Sequence, residues 1–279
     1  MTSTSPLLIP SRKANAHSSF RLPMQLLPKQ QRQDLKQLYI ICRTLDDAVD
    51  EAPSAEEALH ALDIWEEDLA AIYDGGKPRT RLGGMLAELC TRHDLSRFHW
   101  QDMAAALRMD AEGEMVNPSM AHLQIYCYGV ASCVGLLSMP IFGCDTPDGQ
   151  HFAIELGHAM QLTNIIRDVW VDAQIGRVYL PREAAPDLLP HLLLDEDVRE
   201  ACALLGAMAQ HHFNQAEEAA ATLPSREITP ALAMGKVYRY YLSQLEANDW
   251  HPPENGELSL TMKEKIELGT DVTRWLRAA

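Results

Sequence analysis

The stretch that most constrains this chain is Gln161 to Arg182, QLTNIIRDVWVDAQIGRVYLPR. Read as a helix to about Ala173, it places Gln161, Asn164, Asp168 and Asp172 at i, i+3, i+7 and i+11, on one narrow face. Leu162, Ile165, Ile166 and Val169 cover the sides of the same helix. Two carboxylates one turn apart, with amides below them in an apolar helix, are costly to bury without a partner. A hard divalent cation is the least costly one. Mg²⁺ takes oxygen ligands, keeps waters, and prefers one or two carboxylates plus substrate phosphate. A lone DxxxD is ordinarily a solvated helix face, but this one has a counterpart.

In LYIICRTLDDAVDE, Tyr39, Arg43, Asp46 and Asp50 run i, i+4, i+7 and i+11 on one helical face, with Asp47 and Glu51 at the flank. Two such helices facing each other across a cavity would gather cations, and the cations would gather a diphosphate. Composition narrows the rest. A net charge of −15 without a basic run argues against nucleic acid and gives no general attraction to anionic lipid. The six cysteines form no CxxC pair and read as reduced core residues of a cytoplasmic protein. The eleven histidines show no zinc-like spacing, and His211-His212 reads as a solvated pair. The first 17 residues lack a signal-peptide core and read as a flexible tail, and no uninterrupted apolar stretch is long enough to span a bilayer.

The two stripes carry a resemblance. With HSSF at 17 to 20, YCYGVASCVGLLSMPIFG at 126 to 143, and the extension of the second stripe through GRVYLPRE, the chain resembles the squalene and phytoene synthase family, the head-to-head trans-isoprenyl diphosphate synthases. The 126–143 run and the GRVYLPRE ending look most like bacterial presqualene diphosphate synthases. The resemblance implies the isoprenoid synthase fold, with Asp46, Asp50, Asp168 and Asp172 holding Mg²⁺ (or Mn²⁺) on opposite sides of a cavity. It assigns Tyr39, Arg43, Tyr126, Arg167 and Tyr179 to catalysis, and Ser19, Phe20, Gln161, Asn164 and Arg177 to the substrate, farnesyl diphosphate above all. NADPH is not expected. The implied reaction joins two farnesyl diphosphates into presqualene diphosphate, with phytoene or NADPH-dependent squalene synthesis as the alternatives. A non-catalytic assembly factor and a head-to-tail prenyl transferase or terpene cyclase of the same fold are the other readings. In one departure, Val171 stands where many members carry a second acid, which puts support of the metal ligands in doubt.

Helical signals dominate, and the expected architecture is all-α: one domain of helices around a central cavity. Pro28 opens a first helix to Glu51, and Ser54 with Glu57 forms a capping box for the next, ending near Asp74. Helices follow at 81–93 and 98–114, from Pro118 to before Pro140, and from Thr146-Pro147 through the second stripe. After a loop at 174–194, Asp195 caps a helix to about Leu223, and helices at 227–248 and 260–277 complete the chain. Phe20, Ile40, Val130, Leu136 and Leu162 are the expected pocket walls. Loose peripheral association with a membrane is compatible with this picture.

Overall fold

Proline and hydroxyl caps set most of the helix starts in the structure, a computed structural model that describes Leu8 and residues 27–191, 195–252 and 258–278. Helix α1, Lys29–Asp50, starts directly after Pro28. Its buried residues Leu38, Ile41, Leu45 and Val49 form one stripe, and each such aliphatic contributes roughly 1.5–3 kcal/mol. The stripe of Tyr39, Arg43, Asp46 and Asp50 is turned about 100° away, so burying one face presents the other to the interior of the bundle. Helix α2, Ala55–Tyr73, forms one half of the expected capping box, Ser54 Oγ accepting from the Glu57 N–H at 3.2 Å. Helices α3, Arg81–Cys90, and α4, Arg97–Ala111, are each slightly shorter than the sequence suggests. An edge-to-face pair of buried tryptophans, Trp65 and Trp100, with ring centroids 5.5 Å apart, joins α2 to α4.

The sequence places a helix from Pro118 to a point before Pro140; the structure corrects both ends. Helix α5, Met120–Cys127, is capped by Ser119, widens into a π-turn at Tyr128–Ser132, and continues as α6, Cys133–Phe142. Pro140 lies inside α6. It forfeits the N–H that would close on Leu136 O, and the helix stops soon after, at Gly143 in a left-handed turn. The whole run Met120–Phe142 has the length and apolarity of a membrane span, yet its most apolar window is 61% buried inside the bundle. It is a core helix.

Helix α7, Pro147–Gln174, is the longest element and carries the second stripe. Thr146 caps it, and Pro147 occupies its first position, as expected. It packs along its length on α8, Asp195–Ala220, and also meets α6, the π-turn and α9, Ser225–Ala247. Helix α10, Met262–Arg277, closes the order on α9 with a complete capping box of Thr261 and Glu264. Among the described residues the only β-type pairing is an isolated parallel bridge, Val116 to Val178.

That bridge matters because it positions the loop after α7. Asn117 donates its backbone N–H to Val178 O at 2.7 Å and its side-chain amide to Leu180 O and Ala185 O at 2.9 and 3.0 Å. Arg182 N–H donates to Pro118 O at 2.9 Å. The segment is a loop, as expected, but one pinned at four backbone positions.

Candidate active site

A cavity of about 500 Å³ opens between α1, α4, the π-turn, α6, α7 and α9. Its apolar part is lined by Leu35, Met103, Val134, Met139, Phe142 and Phe152 among others. Its polar end carries Tyr39, Arg43, Asp46, Tyr126, Gln161, Asn164, Arg167 and Tyr238. Of the expected walls Val130 lines it, while Leu136 and Leu162 are turned into the surrounding core and Ile40 faces a groove beside α3. Ser19 and Phe20 lie outside the described residues.

Each aspartate stripe is clamped differently. Arg43 Nη1 donates to Asp46 at 2.8 Å, and its Nη2 pairs with Asp47 at 2.7 Å. Arg167 Nε donates to Asp168 at 2.7 Å, and Tyr238 on α9 lines the cavity beside the same guanidinium. Asp50 receives its cation from across the cleft, Arg177 Nη1 at 2.6 Å. Among the described residues Asp172 has no ion pair. Gly176, with φ of 88°, ends α7 in a left-handed turn that returns the Gly176 and Arg177 N–H groups to Ala173 O and Asp172 O. Glycine takes this conformation without the penalty of a Cβ, and the turn aims Arg177 back at α1.

The electrostatics record the crowding. Asp46 is pushed up to about 7, first by burial in the cleft and then by Asp50, with Arg43 opposing. Asp172 is pushed up to about 7 by burial and then by Asp168, with Asp110 and Asp50 adding to it against Arg177. Arg177, in the turn that follows Asp172, reaches Asp50 at 2.6 Å, so the ends of the two stripes meet at one cleft.

Asp110 on α4 is a site residue that the sequence reading missed. Its side chain is 4% exposed, and it accepts from the Tyr179 hydroxyl at 2.8 Å and the Tyr126 hydroxyl at 3.3 Å. Arg177 Nε stands 3.7 Å away. Tyr126 and Tyr179 stack with centroids 5.2 Å apart, so Tyr126 faces the cavity and Tyr179 backs it. Burial, then Tyr179 and Asp110, hold the Tyr126 phenol well above its usual range. It therefore remains a proton donor. One signal was available: Trp100, Met103 and Leu107 are the buried stripe of α4, and Asp110 continues it at i+3. Tyr238 was also missed. Two smaller expectations change as well. His212 is not simply solvated, since Nδ1 lies 2.7 Å from Glu155 and the ring stacks on His158. Val171 is 61% exposed, so the side chain at the position of the departure stands in solvent.

The donor set suits a hard cation. Asp46, Asp50, Asp168 and Asp172 offer oxygen alone, two of them crowded enough to gain protons, and the buried Asn164 Oδ1 has no hydrogen-bond partner.

The protein is an all-helical bundle with two aspartate stripes, arginines and stacked tyrosines beside a largely apolar cavity. The chain matches the family model described as Squalene/phytoene synthase over residues 13–264 and belongs to that family. The presqualene diphosphate synthase of Sinorhizobium fredii is 37% identical over 234 residues, spanning 82% of this chain and 83% of that one. That of Rhodopseudomonas palustris is 36% identical over 244 residues, spanning 85% and 86%. A solved dehydrosqualene synthase in complex with ligand superposes with a TM-score of 0.79 at 25% identity, spanning 96% of this chain and 94% of that one. The fold is the isoprenoid synthase fold.

Proposed function

We propose that the protein is a prenyl transferase that condenses two farnesyl diphosphates head to head into presqualene diphosphate, releasing one diphosphate. The observation that carries this reading is the approach of the two aspartate-bearing helices, joined by Arg177 and Asp50, beside a cavity whose polar end holds Arg43, Asp46 and Arg167 and whose remaining lining is largely apolar. Similarity to presqualene diphosphate synthases supports the choice of product. Asp46, Asp50, Asp168 and Asp172 would hold Mg²⁺, with Asn164 as a further oxygen donor. Bound there, the metal would neutralise diphosphate charge and make it a leaving group.

The chain's own residues account for the remaining steps. Arg43 and Arg167 line the cavity and can receive the diphosphate as their pairing carboxylates turn to metal. When the C1–O bond of the first substrate breaks, the allylic cation lies among Val130, Val134, Met139 and Phe142, where water is excluded. The C2–C3 double bond of the second substrate attacks that C1. Loss of a C1 proton closes the cyclopropane. The departed diphosphate is the base, because the protonated Tyr126, held by Asp110 and Tyr179, can only donate to it or relay.

Incubation with labelled farnesyl diphosphate and Mg²⁺, without NADPH, should yield a cyclopropyl diphosphate. A C40 hydrocarbon from geranylgeranyl diphosphate, or a strict need for NADPH, would replace this reading. We also propose a cytoplasmic location with loose peripheral membrane association. On α10 the carboxylates Glu264, Glu267 and Asp271 turn inward to Gln244, Tyr240 and Lys236, leaving Met262, Ile266, Lys265 and Arg277 outward. Sedimentation with anionic vesicles tests it; no binding at low salt would refute it.

A further inference from the structure

Outside the cavity, the structure brings together three chemically different metal-binding side chains that the sequence keeps apart. His99 and Asp102 stand at i and i+3 on α4, and Cys133 opens α6 after the π-turn. One ligand atom from each lies within 4.8 Å of the other two. The close approach of the two segments depends on Gly129. A Cβ there would stand 2.3 Å from Ala106 Cβ and 2.8 Å from Asp102 O, so the π-turn lies directly on α4. Cys133, one turn further on, is thereby laid over His99 and Asp102.

A second observation points to a ligand. His99 Nδ1 is buried and has no hydrogen-bond partner, whereas the other half-buried histidines among the described residues, His93, His158, His212 and His251, all have one. Asp145 adds negative charge near the ring. Access is open, because Asp102 is exposed and His99 only half-buried, while the Cys133 thiol forms the closed end.

We propose that His99, Asp102 and Cys133 form a binding site for a borderline or soft divalent cation of the Zn²⁺ type, distinct from the aspartate site. One imidazole, one carboxylate and one thiolate with a water in the fourth position is a zinc-like donor set, whereas Mg²⁺ disfavours sulfur. Binding takes the thiol proton to solvent and forms the metal–sulfur bond, leaving the cation's two positive charges balanced by thiolate and carboxylate. Ligand atoms around tetrahedral zinc are roughly 3.3–3.7 Å apart by the usual bond lengths, so the cluster closes by about 1 Å through the accessible His99 and Asp102 side chains. The cation would tie α4 to the segment carrying Val130, Ala131 and Val134, one layer behind the cavity wall.

The test is optical and independent of turnover. Reduced full-length protein in excess Mg²⁺, which occupies the aspartates, is titrated with Co²⁺ alone. The expected result is one equivalent bound, with a thiolate-to-cobalt charge-transfer band and the visible bands of a four-coordinate ion, both removed by Zn²⁺. Cys133→Ser should lose the charge-transfer band. Cys42→Ser, changing a thiol in the same neighbourhood, should keep it. His99→Gln, at a half-buried position, and Asp102→Asn, at an exposed one, should each weaken binding at least about tenfold. No charge-transfer band, a band that survives Cys133→Ser, or affinity unchanged in both α4 variants would overturn the site. Failure of the proposed prenyl transfer would leave these outcomes untouched.

Discussion

The two aspartate stripes look alike in sequence and behave differently in the fold. On α1, both carboxylates have guanidinium partners: Arg43 from one turn earlier for Asp46, and Arg177 from across the cleft for Asp50. On α7, Asp168 takes its own neighbour Arg167, and Asp172 is left with an elevated proton affinity and no ion pair among the described residues. The difference comes from the helix ends. Asp50 is the last residue of α1 and lies within reach of the loop that α7 sends back, while Asp172 sits beneath the turn that sends it. A spacing pattern therefore picks out the candidate carboxylates, but the fold decides which of them is left without a cationic partner among the described residues.

The largest effect should come from removing one ligand of each stripe. Asp172→Asn and Asp46→Asn should each lower turnover of farnesyl diphosphate by about 10³-fold, roughly 4 kcal/mol of transition-state stabilisation. Turnover within a few-fold of wild type in either variant would show that its stripe is not a metal site.

Next is the residue that joins the stripes. Arg177 is 19% exposed and neutralises Asp50 beside the buried Asp110. Arg177→Gln should lower the stability of the metal-free protein by about 2 kcal/mol, less than the loss of a fully buried pair. Saturating Mg²⁺ should restore part of that loss, since the cation replaces the guanidinium. Equal loss with and without metal would mean that Arg177 is only a structural clamp.

The third effect is smaller and opposite in sign. Asp172 has a folded-state value near 7 against an ordinary 3.8, so between about pH 4 and 7 the folded state binds more protons than the unfolded one. Its contribution to stability therefore falls as pH rises through that window, and the cost is complete above pH 7. In chelator at pH 8, Asp172→Asn should stabilise the protein. A three-unit shift is worth ~4 kcal/mol unscreened, which partial exposure reduces to about 1–2 kcal/mol. The gain should vanish towards pH 4, and thermal melts of both proteins across pH would show it. A destabilised variant at pH 8 would contradict the crowding of like charges.

The smallest effect concerns Val171. Because its side chain is 61% exposed, Val171→Asp should change turnover less than about twofold and stability by less than ~0.5 kcal/mol. A large change in Mg²⁺ affinity would show that this position does reach the metal.

Much of this was legible in the chain because it rests on local periodicity. Pro28, Thr146 and Pro147 mark helix starts through backbone constraints that act within a turn, and the 3.6-residue repeat puts Tyr39, Arg43, Asp46 and Asp50 on one face in any helix. The register of the second stripe, Gln161 to Asp172, follows in the same way. Pro140 misled because proline removes one helical hydrogen bond without obliging the chain to leave the helix, and here the helix runs two residues past it.

What the sequence determined alone was the all-helical character, the two acidic faces and the family, since each is written in residues close along the chain. Tertiary structure decided the partners. Asp110 reaches Tyr179 across 69 positions, Arg177 reaches Asp50 across 127, and Cys133 reaches His99 through a glycine contact between helices. Helical periodicity fixes the direction of a side chain relative to its own axis. Where that axis lies against another is set by the packing of many apolar residues at once, and no local spacing contains it.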